Sequence, residues 1–202
     1  MSATQESVGS ILAFWFGPGD DATVAAARSR LWWGKDDATD RAMATRFAGC
    51  IDAAATGALD AWAATPAGRL ALILLTDQFP RNIHRGTPRA FALDARARRF
   101  CMEGLTQGVD RLLRPIERVF FYLPLEHSES MPDQERAVAL FAQLLADVPA
   151  DQRAAFAGYH DFALRHREVV ERFGRFPHRN AILGRTSTPA EIAFLQQKGS
   201  SF

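Results

Sequence analysis

The side chains able to do polar chemistry are gathered in three short stretches of this 202-residue chain. The first is Asp77-Gln78-Phe79-Pro80-Arg81-Asn82, and the second runs Glu126-His127-Ser128-Glu129. The third holds His166, Arg172, Arg175, His178, Arg179, Asn180 and Arg185. A guanidinium is a rigid planar fork of donors that matches a carboxylate or a phosphate, and an asparagine amide adds another donor. A histidine set among glutamates, as His127 is, suits general acid–base chemistry or a hydrogen-bond hub. The residues that read as candidate ligands for a small phosphorylated or carboxylated anion are Asp77, Arg81, Asn82, Glu126, His127, Glu129, His166, Arg175, His178, Arg179, Asn180 and Arg185.

Each stretch also has a plainer reading. Asp77 falls on the stripe Leu70, Ile73, Asp77, so it faces inward, and Arg81 four residues on is its natural ion-pair partner. Glu126 and Glu129 read either as part of a solvated loop before the helix start at Ser130–Pro132 or as holders of arginines from other loops. His166 lies on the apolar stripe Phe162, His166, Val169, Val170, Phe173, where a satisfied core histidine is expected. Taken singly, Arg175, Arg179 and Arg185 read as surface charges.

Other chemistries lack their signatures. There is no Cys pair, His-Glu-x-x-His or pair of histidines four apart, so no metal is expected, and His160 and His166 point in different directions from a helix. No phosphate-cradling glycine loop, dinucleotide fingerprint or Gly-x-Ser-x-Gly elbow is present. No cofactor and no reaction is assigned.

The elements that must position these groups read as helices throughout. Apolar residues recur at helical spacing from Glu6 to Trp15, Val24 to Leu31, Thr39 to Ala55, Pro88 to Gly104, Arg114 to Leu123, Pro132 to Val148, Ala150 to Phe173 and Pro189 to Lys198. The segment Leu70–Leu75 is apolar on all sides and is expected at the centre of the fold. Thr65, Thr87 and Thr188 each precede a proline and read as helix N-caps, with Glu191 completing a capping box. Phe79-Pro80 and Phe176-Pro177 both read as loops that end the preceding helix, because proline lacks the N–H and crowds the turn before it. The expectation is a single all-α domain spanning 1–202, an αα-hairpin solenoid or an irregular bundle, although no tetratricopeptide period is found.

Composition narrows the function classes. A net charge of +1 gives no bias toward nucleic acid or acidic membranes, and neither is expected as a partner. Charge is uneven, since residues 165–185 hold six arginines against Glu168 and Glu171. Two cysteines, Cys50 and Cys101, make no disulfide framework and read as buried thiols. The start of the chain carries no signal-peptide pattern and the longest apolar run, Leu70–Leu75, is far below a membrane span, so a cytoplasmic protein is expected. Oligomeric state is not legible. The functional expectation is an anion pocket, with a scaffold for a peptide or protein partner as the alternative, for which Trp32 and Trp33 are candidate groove residues.

Several longer strings are distinctive. They are Leu74-Leu75-Thr76-Asp77-Gln78-Phe79-Pro80-Arg81-Asn82, Tyr122-Leu123-Pro124-Leu125-Glu126-His127-Ser128-Glu129, Arg172-Phe173-Gly174-Arg175-Phe176-Pro177-His178-Arg179-Asn180 and Leu183-Gly184-Arg185-Thr186-Ser187-Thr188-Pro189. With Phe194-Leu195 and the closing Ser200-Ser201-Phe202, the chain resembles the largely bacterial domain-of-unknown-function family 924 from Leu12 to its end. The resemblance implies a tetratricopeptide-repeat-like superhelix of about nine helices. It implies no substrate, reaction or catalytic residue.

Overall fold

The computed structural model describes residues 6–200, so Ser201 and Phe202 lie outside the described residues. Among those described, the chain is all-α, with helices and short helical turns and no strand. It forms two compact units: residues to Arg85 together with Ala90–Pro124, and Gly86–Arg89 together with the residues from Leu125 onward. No helix among the described residues is long and apolar enough to cross a membrane.

The first unit contains α1 (Val8–Phe16), α2 (Asp21–Trp33) and α3 (Asp37–Thr56). The side chains of Ser7, Asp20 and Asp36 accept from the first-turn amides of these helices, which is why each begins where it does. Next comes α4 (Pro66–Ile73), capped by Thr65 as its sequence requires. Every residue from Leu70 to Leu75 is fully buried, so the run that is apolar all round is central, with α1 and α6 (Asp94–Thr106) packed against it.

The helix does not stop at Phe79-Pro80. It passes through a π-helical turn (Leu74–Gln78) directly into α5 (Phe79–Ile83), so this part of the first candidate site is helical. The widened turn resolves the conflict with Pro80: the Phe79 amide reaches back five residues to the Leu74 carbonyl. Side chains meet two carbonyls of the run. The Thr76 hydroxyl donates to Leu72 O at 2.7 Å, and Arg81 Nη1 donates to Asp77 O at 2.8 Å. Thr76, fully buried among apolar neighbours, thereby has a polar task. The second Phe-Pro step behaves as expected from proline. A helix ends at Phe173, Gly174 takes the left-handed conformation, and Phe176 is extended before a short 3-10 turn at Pro177–Arg179. The same Phe-Pro dipeptide therefore serves two different geometries.

Proline is also overridden in α7 (Pro115–Glu126), which carries Pro124 inside it, so Glu126 closes a helix where a loop residue was expected. An interior proline costs about 3 kcal/mol or more. Burying a large apolar side chain returns roughly 1.5–3 kcal/mol, and Phe120, Phe121, Leu123 and Leu125 are all buried. Packing wins. A further departure lies at Thr87-Pro88: Pro88–Phe91 forms a single 3-10 turn, and α6 starts later, at Asp94, without a side-chain cap.

The second unit pairs α8 (Met131–Asp147) with α9 (Arg153–Phe173), and α10 (Pro189–Leu195) packs on the 3-10 turn at Pro177–Arg179. Thr188 and Glu191 form the capping box at the start of α10.

Candidate functional site

In the first unit the polar groups close on one another. Asp77 is fully buried, with Oδ1 3.2 Å from Arg81 Nη1 and Oδ2 accepting from the Gln78 amide. Arg81 in turn grips both oxygens of Asp94 at 2.8 and 3.1 Å. The Asn82 amide donates to Asp40 Oδ1 at 3.4 Å, and Arg85 also binds that carboxylate. The ion pair expected between Asp77 and Arg81 is present, and each charge is met at short range, as burial demands.

The second unit gathers the rest around Phe176, which is fully buried. Its backbone is held at both ends. The Phe176 N–H donates to Glu129 Oε1 at 2.8 Å, and Arg185 Nη2 donates to the Phe176 carbonyl at 3.1 Å. Arg185 also clasps Glu129 at 2.7 and 2.9 Å. Burial alone would raise the Glu129 pKa, but the Arg185 guanidinium and the Phe176 amide outweigh it and hold the carboxyl below its usual range.

Basic side chains surround the ring that this brace holds still. The Arg179 guanidinium lies 4.4 Å from the Phe176 centroid and is only 6% exposed. The rings of His166 and His178 sit 5.6 and 5.7 Å from the same centroid, and His127 is 6.1 Å from His166. His127 and His178 are half-buried, whereas His166 is buried, so the group reaches from solvent into the interior.

His166 has a defined tautomer. Its Nδ1 is 2.8 Å from the Phe162 carbonyl, which can only accept, so Nδ1 carries the proton. The same Nδ1 is 3.1 Å from Glu126 Oε1. In the neutral ring Nε2 is therefore the basic nitrogen. Burial dominates, reinforced by the positive charges of His127, Arg179 and His178; the hydrogen bond to the Phe162 carbonyl draws the ring toward the charged form but is outweighed, and the pKa falls to about 3. The expectation of a satisfied core histidine holds for Nδ1.

Two further candidates are engaged by α10 and its approach. Arg175 forms a bidentate pair with Glu191 at 2.6 and 2.8 Å and donates to the Thr186 carbonyl. Arg175 and the Thr188 amide hold the Glu191 pKa down to about 2. The Asn180 side chain, fully buried, donates to Ser187 Oγ at 3.0 Å.

Two residues of consequence escaped the sequence reading. Gln134, fully buried in the first turn of α8, points its amide at the carbonyls of Glu126 and Ser128, both at 2.6 Å. It clamps the end of α7, and with it the backbone that carries Glu126 and His127. Its signal was a polar residue on the apolar stripe Gln134, Ala137, Phe141, Leu144. Glu191 was legible as half of a capping box but not as the partner of Arg175, a contact between residues 16 apart. Trp32, a candidate for an exposed groove, is buried, and its indole N–H donates to the Trp15 carbonyl. Trp33 is half-exposed.

The family of bacterial proteins of unknown function DUF924 matches residues 11–199. The chain belongs to this family. A solved structure of a protein of unknown function from Agrobacterium tumefaciens is similar over 94% of this chain and 96% of that one, at 39% identity and a TM-score of 0.79. No curated protein matches the chain.

Proposed function

We propose that this member of the family is a cytoplasmic protein that binds a small phosphorylated or carboxylated anion at the basic cluster of its second unit. One observation carries the reading: Arg179 and the imidazoles of His127, His166 and His178 converge on the Phe176 ring and on each other. A buried guanidinium ringed by imidazole donors is a poorly solvated setting in which attraction to an anion is stronger than in water. The Glu129–Arg185 brace fixes Phe176 and so fixes the cluster before any ligand arrives, which lowers the ordering cost of binding.

Position around Phe176 narrows the donor set. Arg81, Arg175 and Arg185 each hold a carboxylate in two-pronged fashion, which favours a structural role for these three. Arg179, His127, His166 and His178 are the groups we assign to the ligand, with Glu126 orienting His166 through Nδ1.

Thermal-shift measurements against a panel of phosphorylated and carboxylated metabolites test the assignment. Stabilisation is expected with the wild-type chain and is expected to vanish in Arg179→Ala. A panel that stabilises neither protein, or both equally, refutes it.

A further inference from the structure

Past the end of α9, residues 175–200 are tied together as a piece of their own. Arg175 reaches 16 residues ahead to hold Glu191 at 2.6 and 2.8 Å, and it donates to the Thr186 carbonyl. The Asn180 amide donates to Ser187 at 3.0 Å, and the Leu183 and Arg185 N–H groups donate to the carbonyls of Arg179 and Asn180 at 2.9 and 2.8 Å. Thr188 and Glu191 cap α10, and the Arg179 guanidinium rests on the Phe176 ring at 4.4 Å. Each of these contacts joins two residues of the same piece, so none is broken when it moves as a body.

The contacts that seat this piece on the rest of the second unit are of another kind. The Phe176 ring packs against Val169 and Val170, and Phe194 lies 5.1 Å from Phe173 beside it. Glu129, just before α8, accepts from the Phe176 N–H at 2.8 Å and from both ends of the Arg185 fork at 2.7 and 2.9 Å. His178 and Arg179 lie beside His166 and add to the hold. The backbone enters the piece through Gly174, which has a left-handed φ of 68° and where an added Cβ would meet nothing within 4 Å. Glycine absorbs a large backbone rotation, and the open space around this one leaves the rotation unblocked. We propose that residues 175–200 form a clasp that swings open as one rigid piece about Gly174, with the Glu129–Arg185 pair as its catch. Opening draws Phe176 away from Val169 and Val170 and parts His178 and Arg179 from His166, so it is the route by which solvent or a ligand reaches the buried His166 ring. The clasp does not depend on the basic cluster binding an anion.

Hydrogen exchange of the full chain, followed amide by amide by NMR, tests the swing. The Phe176 N–H loses its acceptor when the clasp opens, whereas the Leu183 and Ile192 N–H groups keep theirs, the carbonyls of Arg179 and Thr188, inside the piece. In the wild type the Phe176 amide is expected to be about tenfold less protected than those of Val169 and Val170 inside α9. Its rate is also expected to respond less steeply to low urea, because a swing exposes less surface than unfolding does. Arg185→Met keeps the Glu129 acceptor for the Phe176 amide but removes the catch. It is expected to speed Phe176 exchange about tenfold further and to change Leu183 and Ile192 by no more than about twofold. Exchange of Phe176 only together with Val169 and Val170 overturns the clasp, and the wild type alone decides that. A rise shared by Phe176, Leu183 and Ile192 means that the piece melts instead of swinging, and an unchanged Phe176 rate means that Arg185 is not the catch; either result also overturns the proposal.

Discussion

Acidification should destabilise this protein through His166, and the size of the effect follows from its surroundings. The ring is buried beside other basic groups, and its pKa drops from an ordinary value near 6.5 to about 3. Between those values the unfolded chain binds a proton at this site and the folded chain does not, so folding is opposed as the pH falls from 6.5 toward 3. Above pH 6.5 the contribution to stability is fully present. With these two values the loss between pH 7 and pH 5 is about 2 kcal/mol. The assay is urea unfolding at a series of pH values for the wild type and for His166→Gln, which retains an amide donor for the Phe162 carbonyl. Carboxylates titrate in both proteins, so the difference between the two curves isolates the imidazole. The wild type should lose about 2 kcal/mol relative to the variant over this interval. Parallel curves would refute the argument. A wild type that gains relative to the variant would show that Glu126, 3.1 Å away, wins and that the folded protein holds an imidazolium.

Two further expectations concern the frame around the site. Glu129→Ala removes the carboxylate that holds both Arg185 and the Phe176 amide, whose side chains in the pair are about a quarter exposed; the expected cost is about 2–3 kcal/mol, between that of exposed and fully buried pairs, read from the denaturation midpoint. A cost within 0.5 kcal/mol of zero would show that the brace is dispensable. In the first unit, a Cβ at Gly104 would meet Phe121 Cζ at 2.5 Å and Arg69 Cδ at 2.6 Å. Gly104→Ala should therefore lose about 1–3 kcal/mol, although alanine is the better helix former; a variant as stable as wild type would mean that the Phe121 ring and the Arg69 stem yield freely.

Much of the architecture was legible because it depends on near neighbours. Helical spacing placed most of the helices, and Thr65 and Thr188 cap where their Thr-Pro pairs predict. The Asp77–Arg81 pair follows from spacing along one helix and is present at 3.2 Å. The misreadings share a cause. Helices were expected to end at Phe79-Pro80 and at Leu123, yet both continue, because a proline rule is local whereas the burial that overrides it is set by how the whole helix packs. At the candidate site, residue types gave the basic and acidic groups but not their pairing. Glu191 on Arg175 and Gln134 on the end of α7 are contacts that no spacing rule predicts.

From the order of its residues alone, this protein was committed to helices, to an interior run at Leu70–Leu75 and to polar groups clustered in three stretches, since propensity, periodicity and capping act over a few residues. Tertiary structure alone decided which arginines are spent on carboxylates and which basic groups are drawn together around Phe176. Ion pairing and imidazole protonation depend on burial and on distances of a few ångströms between segments far apart in the chain, and only the folded chain sets those.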